Sequence, residues 1–231
     1  MIDFQGFGDR LLLGAAMTVA LAFGALALGV ALGLAGAAAK LSRVAVLRAI
    51  GGTYTTVVRG LPELLVVLII YFGSSGLLTT AAGWLGYEGF VEVGPFAAGV
   101  VALGLTFGAY ATEVFRGAIL AIPKGQTEAA RAYGMGRALT FRRIVLPQVW
   151  RIALPGLGNL FLVLLKDTSL VSVIGLDELM RQSSIAVGFT RAPFTFYLAA
   201  AILYLMMTVV AMAVIGFAER SASKGLPRAA A

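Results

Sequence analysis

The sequence predicts an all-α polytopic membrane protein with five helical crossings. Composition is the first observation: 60% of the 231 residues are apolar and only 13% charged, where a soluble domain carries about 25% charge. The second is the placement of the charges. Residues 11–39, 64–87, 93–112 and 192–218 contain no Asp, Glu, Lys or Arg, and 152–176 is broken only by Lys166 and Asp167. A helix crosses the hydrocarbon core with about 20 apolar residues, so each run suffices for one crossing. The expected spans are about 11–39, 63–87, 94–121, 152–176 and 193–218, within a single transmembrane domain covering 1–231.

The third observation is an asymmetry of cations. Lys40, Arg43, Arg48 and Arg59 follow the first run. Arg116, Lys124, Arg131, Arg137, Arg142, Arg143 and Arg151 surround the third connection, and Arg220, Lys224 and Arg228 close the chain. Alternating crossings place all of these on one side, leaving Arg10, Arg181 and Arg191 on the other. Basic loops stay in the cytoplasm, so the N-terminus is expected outside and the C-terminus inside. The net charge of +7 then reflects topology, not nucleic-acid binding. The first run is not read as a signal peptide, because it is too long and follows Asp3, Asp9 and Arg10 instead of a basic segment.

In the first crossing Gly29 and Gly33 stand four residues apart, and in the third Gly104 and Gly108 do the same. Small residues one turn apart let helices approach closely in lipid. The second crossing opens with RGLPELL (59–65), where Pro62 suits a first helical turn; its outer end is marked by Gly73, Ser74, Ser75 and Gly76. Trp84 and Tyr87 are expected as interface anchors. Between the third and fourth crossings lies the longest polar stretch, 122–150. There Thr127 is expected to cap a short helix through Glu128–Tyr133, with Glu128 at its positive end. Gly134 and Gly136 provide the exit, and a second basic helix over about Arg137–Leu146 is expected to stop at Pro147.

This polar stretch carries a resemblance. Glu128, Ala129 and Ala130, then Gly134, then Ile144, Leu146 and Pro147 match the EAA loop of ABC importer permeases. RGLPELL (59–65), GAYATEVFRGAI (108–119), IPKGQTEAA (122–130), ALPGLGN (153–159) and KDTSLVS (166–172) resemble the polar amino-acid branch of that family, most of all the Q-type subunits of arginine, histidine and opine importers. The resemblance implies a type I importer transmembrane fold in the bacterial cytoplasmic membrane. It further implies a homologous permease partner (a paralogue), two ATPase subunits and an extracytoplasmic substrate-binding protein. The EAA helix, with Glu128, Ala129, Ala130, Gly134, Leu146 and Pro147, would dock on the ATPase. No G-x-x-x-x-G-K-[ST] motif occurs in the chain, so no cofactor is expected here, and ATP and magnesium belong to the ATPase subunits.

Ionisable residues inside a membrane are costly and point to function or pairing. Asp167, Glu63 and Glu113 are therefore substrate-path candidates, together with Lys166, Thr106 and Ser169. Glu113 lies three residues before Arg116, a spacing suited to an intrahelical ion pair. Thr106 stands where the family often has Asn. The hydroxyls of Thr168 and Ser169 are of a type that bonds its own helix backbone. Other classes fit less well. A secondary transporter is expected to show an internal repeat and more crossings, and an intramembrane hydrolase needs a nucleophile–base pair that a chain without His or Cys does not display. A glutamine- or glutamate-type importer remains the alternative within the family.

Overall fold

Small residues decide how this chain folds. A computed structural model describes residues 6–222 apart from 88 and 90; Asp3, Lys224 and Arg228 lie outside the described residues. Helix α1 (Gly8–Lys40) and α4 (Pro95–Leu120) form the central pair. A Cβ added at Gly29 would lie 3.1 Å from the Gly104 carbonyl, and one at Gly108 3.2 Å from the Gly29 carbonyl. The two glycine pairs singled out by spacing therefore meet each other. Further along, Gly33 faces Ala111 and Gly36 faces Thr112. The partner numbers rise together, so α1 and α4 run parallel, as alternating crossings demand of the first and third spans.

In lipid no hydrophobic force drives helices together, and close van der Waals packing takes its place. Around this pair are wrapped α2 (Ala45–Arg59), α3 (Glu63–Trp84) and α7 (Leu146–Asp167), with α8 (Leu179–Thr190) and α9 (Pro193–Ala222) closing the far side. Leu21, Leu103, Phe107, Phe115, Leu157, Leu164 and Val171 fill the common core. Among the described residues, five helical stretches are long and apolar enough to cross a bilayer: Gly8–Lys40, Glu63–Trp84, Pro95–Leu120, Arg137–Ile174 and Pro193–Ala222. The described residues contain no β-strand.

Several sequence expectations are corrected. Gly73, Ser74, Ser75 and Gly76 do not mark the outer end of the second span, because α3 runs through them to Trp84, close to the expected 63–87. There Ser75 and Thr79 hydroxyls accept from the Val93 and Val91 amides at 3.2 and 3.0 Å and hold the 85–94 connection. The basic helix does not stop at Pro147. Helix α6 (Arg137–Thr140) passes through a π turn (Phe141–Val145) directly into α7. Proline lacks an N–H and its ring crowds the carbonyl four residues back. In the π turn the Leu146 amide reaches the Phe141 carbonyl, five residues back, and such widened turns accommodate an extra residue within a helix. The fourth span therefore begins before residue 152, and beyond Asp167 it tightens into a 3-10 stretch (Thr168–Ile174) that ends at Gly175, φ +97°.

Helix α5 (Lys124–Ala132) also begins earlier than expected. Thr127 does not cap it: its hydroxyl donates to the Lys124 carbonyl at 2.8 Å, and Glu128 lies in the second turn, away from the positive end. Gly134, at φ +77°, does provide the left-handed exit.

The glycine contacts yield a test. In Gly33→Val the new Cβ would start 2.7 Å from Ala111 Cβ, and overpacking of this kind costs about 1–3 kcal/mol. Gly52→Ala, where nothing lies within 4 Å, is the control. Thermal melting of the purified complex should fall clearly for the first variant and not for the second; equal melting of the two would refute the packing role.

Candidate functional site

Three of the sequence candidates come together in one chamber within the membrane span. Along α4, Thr106, Phe107 and Tyr110 share a face; along α7, Leu160, Val163, Leu164 and Asp167 recur at helical spacing; Glu63 enters from the first turn of α3. Together they line a cavity of about 260 Å³. Glu63 and Asp167 are both half-buried. Among the described residues neither carboxylate accepts a hydrogen bond or joins an ion pair, whereas Glu113 and Glu178 do both or one of these. The Thr106 hydroxyl donates to the Leu103 carbonyl at 3.0 Å, which spends its proton and leaves it an acceptor. The chamber is an apolar vessel with two carboxylates and a hydroxyl oxygen, a lining suited to a cation.

The other candidates lie elsewhere. Lys166 does not line the chamber: it is exposed, its charge attracts Asp167 without a close ion pair, and its carbonyl accepts from the Ser169 hydroxyl at 2.8 Å. The Thr168 hydroxyl donates to the Leu165 carbonyl, also at 2.8 Å. Glu113 belongs to a second cluster at the end of the bundle that carries Lys40. Its Oε2 accepts from Arg116 (Nη2 2.8 Å, Nε 2.9 Å) and its Oε1 pairs with Lys40 Nζ. Lys40 also donates to the Thr55 hydroxyl at 2.9 Å, which ties α1, α2 and α4 together. Near it the Tyr54 hydroxyl donates to the Leu105 carbonyl at 2.7 Å, and burial pushes that phenol up to about 12, so it stays a donor. Lys40, Thr55 and Glu113 border a cavity of about 420 Å³.

The EAA-like segment forms a protruding surface at the same end. Glu128 and Ala129 are exposed on α5, and Ala130 is buried beneath them. Tyr133 is 89% exposed. The Met135 amide closes on the Ala130 carbonyl at 3.0 Å, and Gln148 donates to the Gln126 side chain at 3.1 Å, which links α5 to α7. Leu146 and Pro147 are exposed at the start of α7.

Sequence reasoning passed over Glu178. Its side chain is fully buried and accepts from the Met180 and Arg181 amides at 2.9 and 2.8 Å, from the Tyr204 hydroxyl at 3.1 Å and from the Thr18 hydroxyl at 3.4 Å. It caps α8 and joins that helix to α1 and α9. Glu is not among the favoured capping residues, so no local signal marked it.

Comparison with known proteins places this architecture. The chain matches the binding-protein-dependent transport system inner membrane component family over residues 29–224. It belongs to that family. The permease is 50% identical over 224 residues to the octopine transport system permease protein of Rhizobium radiobacter, covering 97% of this chain and 94% of the relative. With the histidine/lysine/arginine/ornithine transport system permease protein of Escherichia coli (strain K12) it shares 42% identity over 224 residues, covering 97% and 98%. The crystal structure of an amino acid ABC transporter with histidines superposes with a TM-score of 0.80 at 34% identity, covering 96% of this chain and 99% of that one. A methionine ABC transporter in an inward-facing conformation has the same fold (TM-score 0.76, 18% identity, covering 94% and 98%). The permease is thus a membrane component of a bacterial inner-membrane transport system and not its ATPase.

Glu178 offers a pH test. Burial holds its carboxyl above the ordinary 4.5, partly offset by the four donors. A raised folded-state value means that the folded protein binds more protons, so stability falls as pH rises from about 4.5 through that raised value. Glu178→Gln should flatten this slope in melting temperature against pH. Glu178→Ala should melt lower at every pH, because the stranded buried donors cost about 1–3 kcal/mol of stability. A wild-type slope persisting in Glu178→Gln would exclude the assignment.

Proposed function

We propose that this permease carries cationic amino acids of the arginine, histidine, lysine and ornithine class, or opines, into the cytoplasm. The observation that carries the reading is the pair Glu63 and Asp167, two carboxylates that accept no hydrogen bond and join no close ion pair among the described residues, in one intramembrane chamber. Unpaired carboxylates in a low-dielectric setting are costly, and a guanidinium or ammonium passing through would offset that cost with charge-assisted hydrogen bonds. The same lining disfavours an anionic substrate, so a glutamate-type importer fits less well. Thr106 supplies a neutral acceptor, and Phe107 and Tyr110 supply the walls.

In this reading the chain lies in the bacterial cytoplasmic membrane with its N-terminus outside. It works with a paralogous permease, two ATPase subunits that bind ATP and magnesium, and an extracytoplasmic substrate-binding protein. The α5 surface, with Glu128 and Ala129 outermost and Ala130, Gly134, Leu146 and Pro147 shaping its base, docks on an ATPase subunit. Because α6, the π turn and α7 are one continuous helix, a push on α5 reaches the chamber wall at Asp167. That gives the route by which closure of the ATPase pair reshapes the chamber, with the π turn as the compliant joint.

Two experiments test this. In proteoliposomes holding the full importer, Asp167→Asn and Glu63→Gln should each cut arginine-class uptake at least tenfold, a loss of about 1.4 kcal/mol, without lowering the melting temperature of the complex. Full uptake by both variants would remove the chamber from the transport path. For coupling, Glu128→Lys should insert normally yet lose co-purification with the ATPase or uncouple hydrolysis from uptake. Unchanged pull-down together with unchanged uptake would dismiss α5 as the docking surface.

A further inference from the structure

Tyr110 lines two cavities at once. On one side lies the acidic chamber with Glu63 and Asp167. On the other lies the cavity at the Lys40 end, bordered by Lys40, Thr55, Arg59 and Glu113. Thr106, Tyr110 and Glu113 follow one another along α4 at about 1.5 Å per residue, so the second cavity begins roughly one turn beyond the first. Its cations are not equivalent. Lys40 and Arg116 are both neutralised by Glu113. Arg59 has no carboxylate partner among the described residues, and its guanidinium carbon lies 5.1 Å above the centre of the Tyr110 ring. Arg59 stands at the end of α2, four residues before Glu63 across the Gly60–Pro62 turn. One short turn thus sets an acid and an uncommitted guanidinium on opposite sides of one tyrosine.

We propose that Arg59 reads the substrate's carboxylate, and that the cavity it borders is a second station on the substrate path, entered past Tyr110. The inference rests on the cationic-substrate reading of the acidic chamber and adds to it what binds the other end of the molecule. An amino acid with a basic side chain carries positive charge at one end and a carboxylate at the other. With its guanidinium or ammonium held by Glu63 and Asp167, its carboxylate meets the ring of Tyr110 and the cation beyond. The resting Arg59–Tyr110 contact is a cation–π interaction, weaker than the two parallel hydrogen bonds that a guanidinium gives a carboxylate. An arriving carboxylate therefore draws Arg59 off the ring, and with that the way to the Lys40 end opens. An exposed lysine would not serve equally, because it lacks the planar fork that suits both the ring and the carboxylate. Opines carry more than one carboxylate and satisfy the same reader.

The test is equilibrium binding to the complex of permeases and ATPases purified without its binding protein, with arginine, octopine and agmatine as probes. Agmatine keeps the guanidinium of arginine and lacks the carboxylate. Wild type should bind arginine or octopine at least tenfold more tightly than agmatine. In Arg59→Gln that ratio should fall to about threefold or less, through weaker binding of the carboxylated probes and not through tighter binding of agmatine alone. Arg59→Met, which keeps the apolar stem, is measured in parallel in case the glutamine variant fails to assemble. A wild-type ratio near one, or a ratio unchanged in both Arg59 variants, overturns the carboxylate reader while leaving the acidic chamber standing. Absence of binding by all three probes to wild type overturns the chamber reading and this inference with it.

Discussion

The rest of the permease hangs on the close approach of two parallel helices. Gly29, Gly33 and Gly36 on α1 face Gly104, Gly108, Ala111 and Thr112 on α4, at separations that leave no room for a side chain. Parallel neighbours cannot be joined by a short turn, so the intervening residues 41–94 must leave and return. They do so as α2 and α3. That excursion carries Arg59 and Glu63 to the α4 surface, since α2 docks only where Gly51 lets it approach Ala39 and Lys40 and where Tyr54 reaches the Leu105 carbonyl. Without the narrow α1–α4 contact, neither cavity beside Tyr110 would have its third wall.

A second constraint is the unbroken helix from Arg137 to Ile174. It begins in the basic polar surface and ends past Asp167, so one element spans both the candidate docking surface and the candidate substrate chamber. Two prolines interrupt its hydrogen bonding without ending it. Pro147 is absorbed by the π turn before it, and at Pro155 the helix is braced by Gly156 against Val114 and by Gly158 against Ile215. Prolines and π turns are where long helices bend. The helix is thus stiff along most of its length and compliant at two places, both between the polar surface and Asp167.

Much of this was legible in the sequence because lipid imposes strict rules. Charge-free runs marked the spans, and the cation asymmetry agrees with the alternation that the parallel α1–α4 pair requires. The Glu113–Arg116 spacing did correspond to an ion pair, although the contribution of Lys40, from 73 residues away, had no local sign. Helix α2 was not legible: its Thr53–Val58 stretch is β-branched but for Tyr54 and favours no helix locally, and tertiary contacts through Gly51 and Tyr54 hold it. Helix α8 was hidden for a similar reason, being capped by a glutamate whose partners Thr18 and Tyr204 come from distant spans. Pro147 misled in the other direction. A proline usually ends a helix, and nothing local announces that a π turn will absorb it.

The acids show how structure sorts residues that sequence leaves equivalent. A carboxylate away from bulk water must be paid for by partners, and Glu113 and Glu178 have theirs: two cations in one case, two amides and two hydroxyls in the other. Removing either acid should therefore be felt as lost assembly, for any substrate. Glu63 and Asp167 are half-buried in the same setting and have no such partners among the described residues. Folding alone gives no reason to keep two unpaired carboxylates in an apolar chamber, because neutral residues of the same size would be cheaper there. What does account for them is a partner that is present only part of the time, positively charged, and small enough for a chamber of about 260 Å³. At the second cavity Lys40 is already paired with Glu113, and Arg59, exposed and held only over the Tyr110 ring, places the complementary charge on the far side of that ring.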